Sequence, residues 1–170
     1  MAYIIGAGGP RDPRAIPLAT KRGTEIPNER RWESHPDALR VSYELFRRER
    51  PAVILRSLTA TYNCMGLVFA SRRTWVDTEF LGMISQEDGY RVVMRHQDLA
   101  PGDILVYRDE RGRVVHVGVV LEIVPDLLQA RRRLKVLSKW GRDGEYIHDP
   151  EDVPGLLGTP NEFLSERKSA

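Results

Sequence analysis

Cysteine occurs once in these 170 residues, at Cys64. A lone thiol cannot form an internal disulfide, so nothing points to an oxidising compartment or a disulfide-stapled fold. The four histidines, His35, His96, His116 and His148, are scattered and show no zinc-ligand spacing with that thiol, so no metal is expected. No P-loop or dinucleotide fingerprint is present, and no other cofactor is expected. No apolar run approaches the roughly 18 residues that span a bilayer, so no membrane partner is expected. The stretch after Met1 is short, lacks a basic leader and is broken by Gly6, Gly8 and Gly9, which makes a poor signal peptide. The expectation is a soluble protein, cytoplasmic or exported by a route without a cleavable signal.

Lysine is also scarce, at Lys21, Lys135, Lys139 and Lys168, so arginine supplies most of the positive charge. The net charge of +2 is too small to indicate a nucleic-acid binder, and a nucleic-acid partner is not expected. Basic residues exceed acidic ones between Arg11 and Arg50, which reads first as a solvated surface and second as an arm that guides an acidic partner.

What is present fits one globular domain: 41% of residues are hydrophobic and 29% charged. Residues 1–34 carry four prolines and four glycines and read as an extended arm, ahead of a single domain over 35–170. Ser34 and Pro36 open a helix that Pro51 ends. Asn63 is a good N-cap for a buried helix running to about Arg73, with Cys64 at its first position. A shorter helix is expected around Thr78 to Gln86. After Gly89 the pattern turns to strands: Tyr90–Met94, Ile104–Tyr107, Val114–Val124, Leu134–Trp140 and Tyr146–His148. Helices first, then a meander of antiparallel strands, is an α+β order.

The chemical signal is a thiol and an imidazole 52 residues apart. A thiol attacks as its thiolate, which a helix N-terminus and a neighbouring imidazolium both stabilise. Cys64 at a helix start and His116 on an apolar strand suit a nucleophile and its base. The Tyr62 hydroxyl could assist at the oxyanion.

Asn63-Cys64-Met65-Gly66-Leu67-Val68 resembles the Cys-Ser-Gly-Leu-Val segment of NlpC-type cysteine peptidases. Leu99-Ala100-Pro101-Gly102-Asp103-Ile104-Leu105-Val106-Tyr107 resembles their Leu-x-Pro-Gly-Asp-Leu-x-x-Phe strand, and His116-Val117-Gly118-Val119-Val120 their His-Val-Gly-Ile strand. CHAP-type amidases show a similar order. The resemblance covers roughly residues 60–140. It implies a papain-like fold, with a nucleophile helix on a small antiparallel sheet, Cys64 as nucleophile and His116 as general base and acid. It further implies a peptide or γ-glutamyl-type amide as substrate, cleaved through an acyl-enzyme. The chain departs from the pattern at Met65, where a serine is usual, and at Asn63, where an aspartate is common. The strand expected to supply a third catalytic residue reads Leu134 to Gly141, which leaves Ser138, or His148 from the last strand, and less readily Glu145. Two alternatives stand beside hydrolysis: acyl transfer or deamidation by the same pair, and a catalytically inactive domain that binds protein or nucleic acid.

Overall fold

The computed structural model describes residues 14–126 and 131–167. In chain order its elements are β1 (Asn28–Glu29), α1 (Pro36–Glu49), β2 (Ile54–Ser57), α2 (Cys64–Phe69), β3 (Trp75–Val76), α3 (Leu81–Asp88), β4 (Arg91–Val92), β5 (Ile104–Arg108), β6 (Val114–Asp126), β7 (Arg131–Trp140), β8 (Gly144–His148) and β9 (Thr159–Ser165). Short 3-10 turns precede α3, β5 and β9. The chain is mixed α and β. Its centre is a seven-stranded sheet in the order β2-β8-β7-β6-β5-β9-β4, with every neighbouring pair antiparallel.

Local chemistry sets most of these elements. Pro36 occupies the start of α1, and the His35 ring caps it by accepting from the Asp37 N–H at 3.3 Å, in place of the expected Ser34. Asn63 Oδ1 accepts from the Gly66 N–H at 2.9 Å, which starts α2 at Cys64. The same side chain bonds the backbone of Val76 at 2.7 and 3.2 Å, tying α2 to β3. α2 is shorter than expected. It ends at Phe69, and Ser71 and Arg72 turn the chain back with φ of 50° and 63°. Asp109 Oδ1 accepts from the N–H groups of Arg111 and Arg113, both at 2.9 Å, and Gly112 takes φ 76°, closing the β5–β6 turn.

Both faces of the sheet are covered. On one, α2 and α3 pack Cys64, Met65, Leu81 and Ile84 against Ile104, Val106 and Val117. On the other, Tyr43 and Phe46 of α1, with Val153 and Leu157, cover Leu105, Tyr107, Val136, Trp140 and Tyr146. Residues 14–34 lie across the domain: Ile26 joins the first cluster, Thr20 bonds Glu87, and β1 pairs with β3. The first thirteen residues of the expected arm fall outside the described residues.

Candidate functional site

Cys64 is 6% exposed at the first position of α2, inside the cluster that contains Val117. Burial pushes its thiol pKa up, and the N–H groups of Val117, Met65 and Cys64 itself oppose that only in part. The thiol is therefore held neutral. Its approach to β6 is at Val117, one residue from His116.

That single residue decides the geometry. Successive side chains of a strand point to opposite faces. Val117 faces α2, so His116 faces away from it, where it pairs with Tyr107 across the ladder and lies 5.1 Å from that ring. Tyr107 belongs to the cluster under α1. The structure thus places Cys64 and His116 on opposite faces of the sheet and does not bring them together. His116 is 1% exposed, and among the described residues its Nε2 has no hydrogen-bond partner. Burial, with smaller contributions from His148 and Lys139, lowers its pKa from 6.5 to about 3.

Ser138 and His148 do meet, but each other rather than Cys64. Ser138 pairs with Gly118, and His148 with Val136, on the face under α1. Their Oγ and Nε2 lie 2.7 Å apart, and both residues are fully buried. Tyr62, considered above for an oxyanion, donates instead to Glu145 Oε2 at 2.7 Å.

Two residues that the motifs did not bring forward, Lys139 and Arg72, join Glu145 on the thiol's side of the sheet. Lys139, across the ladder from Glu145, is fully buried, bonds the Gly141 carbonyl at 2.6 Å and lies 5.5 Å from the centre of the Tyr62 ring. Burial lowers its pKa to about 8 against the pull of Asp143, Glu33 and Glu145. Burial alone would raise Glu145, but hydrogen bonds from Arg72 (2.8 and 3.1 Å) and Tyr62 hold it below the ordinary value. Only Glu145 of the residues considered for a third member shares the Cys64 face. The signal for Lys139 was its parity with Lys135 and Leu137 in β7, opposite to Val136, Ser138 and Trp140.

A cavity of about 530 Å³ opens beside Asn63, lined by Trp75, Asp77, Thr78 and Phe80 among others, and Cys64 does not line it. Among the described residues no group of three His, Cys, Asp or Glu side chains is arranged to hold a metal ion, and no helix is long and apolar enough to cross a membrane. No family model, curated protein or solved structure matches this chain.

Proposed function

We propose that this chain is a binding domain on a papain-like plan of the NlpC and CHAP type, one that does not carry out Cys-His amide hydrolysis. The placement of Cys64 and His116 on opposite sheet faces carries this reading. A thiol on one side of a sheet cannot hand its proton to an imidazole on the other, and geometry comes before pKa in choosing a base.

Packing, rather than chemistry, accounts for the residues that carry the resemblance. A Cβ at Gly66 would stand 1.9 Å from the Thr74 carbonyl oxygen, and one at Gly118 would stand 2.5 Å from Val136 Cγ1. Asn63 joins α2 to β3. Asp103, 2% exposed, accepts from the Ala100 N–H at 2.8 Å and pairs with Arg167 at 2.7 Å.

A second reading keeps the hydrolase, with acyl transfer or deamidation by the same thiol, and makes Lys139 the base. The observation that favours it is a fully buried lysine on the Cys64 face with its pKa near 8. A neutral amine there accepts a proton, whereas an ammonium cannot.

Alkylation of Cys64 by iodoacetamide between about pH 6 and 9 separates the readings, in wild type, His116→Ala and Lys139→Met. The binding reading expects a slow thiol whose rate follows opening of the fold and rises with low urea. A fast thiol that titrates below the ordinary range and loses that property in His116→Ala overturns it in favour of the Cys-His hydrolase. Loss in Lys139→Met alone establishes the second reading.

A further inference from the structure

We propose that a phosphate group binds in the arginine-lined cavity between the end of β1 and the turn after α2. The cavity holds about 340 Å³ and is lined by Ile16, Arg30, Arg31, Thr61, Arg72 and Arg73. A smaller one of about 220 Å³ adjoins it through Arg30 and Arg31 and adds Arg14 and Trp32. Among the described residues no carboxylate lines either.

Four guanidinium groups around one cavity repel one another, an effect that solvent reduces at the exposed Arg30, Arg72 and Arg73, and together they present a concentrated positive field. Among the described residues, carboxylates meet only some of these charges. Glu145 neutralises Arg72 through two hydrogen bonds, and Glu29 pairs with Arg14 at 2.9 Å and stands 3.9 Å from Arg31. Among the described residues Arg30 meets no carboxylate, and Arg73 contacts only the Ala70 carbonyl, at 3.4 Å. Arg31 lies 3.9 Å over the Trp75 ring, which fixes its plane. Arg72 reaches its place through a left-handed backbone, φ 63°, that a non-glycine residue rarely adopts.

Forked donors converging from two chain segments suit an anion with three or more oxygens and more than one charge, as a phosphate monoester is. Trp32, 80% exposed on the rim of the smaller chamber, offers a face on which a ring carried by the same ligand can stack. The site stands whether or not Cys64 is reactive.

The test is calorimetric titration of the full chain with inorganic pyrophosphate at fixed ionic strength, beside citrate as a carboxylate of similar charge. Pyrophosphate should bind wild type and the Arg47→Ala control alike. Arg30→Ala and Arg73→Ala should each weaken it roughly tenfold, and Arg30→Lys should fall between. The thermal midpoint without ligand reports whether each variant is folded. No binding, equal binding by Arg30→Ala and Arg73→Ala, or citrate binding as well as pyrophosphate overturns the proposal. A nucleoside monophosphate and a 5′-phosphorylated oligothymidylate complete the set. Whichever exceeds pyrophosphate identifies a free nucleotide or a strand end as the source, and a tie identifies free phosphate.

Discussion

Trp140 Nε1 lies 3.0 Å from Ser138 Oγ, which in turn lies 2.7 Å from His148 Nε2. The remaining ring nitrogen, Nδ1, stands 2.7 Å from the Asp149 carbonyl oxygen. A carbonyl only accepts, so Nδ1 carries the proton and Nε2 is a bare acceptor. The indole N–H therefore donates to Ser138, and the Ser138 hydroxyl donates to His148. Ser138 is fully buried, so no water replaces it if it is lost. Ser138→Ala strands the indole N–H and Nε2 and should destabilise the fold by about 2–4 kcal/mol. Urea unfolding measures it. A change under about 0.5 kcal/mol, the usual range for a surface substitution, would contradict this chain of donors.

The two buried histidines make stability fall on mild acidification. His116 titrates at 6.5 when unfolded and about 3 when folded, and burial lowers His148 as well. A depressed histidine stabilises the fold fully above its unfolded value and loses that contribution as pH falls through the folded one. Glu145 and Asp103 are held below 4.5 and 3.8, so their contributions fade only below those values. The limb between about pH 6.5 and 4.5 then belongs to the histidines. Wild type should lose roughly 3 kcal/mol to His116 alone by pH 4. His116→Phe should flatten the limb, as urea midpoints across that range will report. An unchanged slope would place His116 in contact with solvent.

The α2 cap and the strands from β5 to β8 were legible because each has a local signal: an Asn before an apolar run, and β-branched runs. Three strands were not. β1 and β3 have two residues each. β9 contains Pro160, Asn161 and Glu162, and the Pro160 pairing falls at a register shift against β5, where a proline is tolerated. The face on which His116 lies was also hidden. Alternation reveals a strand's inner face only when the other face is polar. Here helices cover both sides, Val114 to Val120 is apolar at almost every position, and a strand shift of one residue would have met Cys64 with an imidazole. Motif order alone does not carry that parity.

Gly66 tests how tightly α2 is seated. Its Cα faces the Thr74 carbonyl, and an added Cβ would sit 1.9 Å from that oxygen and 3.1 Å from Tyr62 Cβ. Neither obstacle is a flexible side-chain end, so α2 must lift off β3 to admit a methyl group. Gly66→Ala should destabilise by about 3 kcal/mol or more, well above the helix-propensity gain of about 1 kcal/mol. Gly82→Ala is the control, since among the described residues nothing lies within 4 Å of its added Cβ. Thermal midpoints of the two should move in opposite directions, and parallel shifts would mean that α2 and Thr74 are farther apart.

Lys139 opposes the fold's stability, and that is the best reason to suspect it of a role beyond packing. Its folded pKa of about 8 lies below the ordinary 10.5 because its ammonium is buried. A lysine lowered in this way adds stability that is complete above 10.5 and lost as pH falls through 8, so at pH 7 the fold carries an unfavourable buried charge. Lys139→Met fills a similar volume without that charge, and Glu145 keeps Arg72 and Tyr62 as partners. The variant should be more stable than wild type by about 1–3 kcal/mol at pH 7. The difference should shrink as pH rises from 8 to 10.5, because wild type then gains stability and the variant does not. Denaturant midpoints at three pH values decide this. A less stable variant at pH 7 would mean that attraction to Asp143, Glu33 and Glu145 exceeds the burial penalty, leaving Lys139 a structural ion and the lysine-base reading without its support.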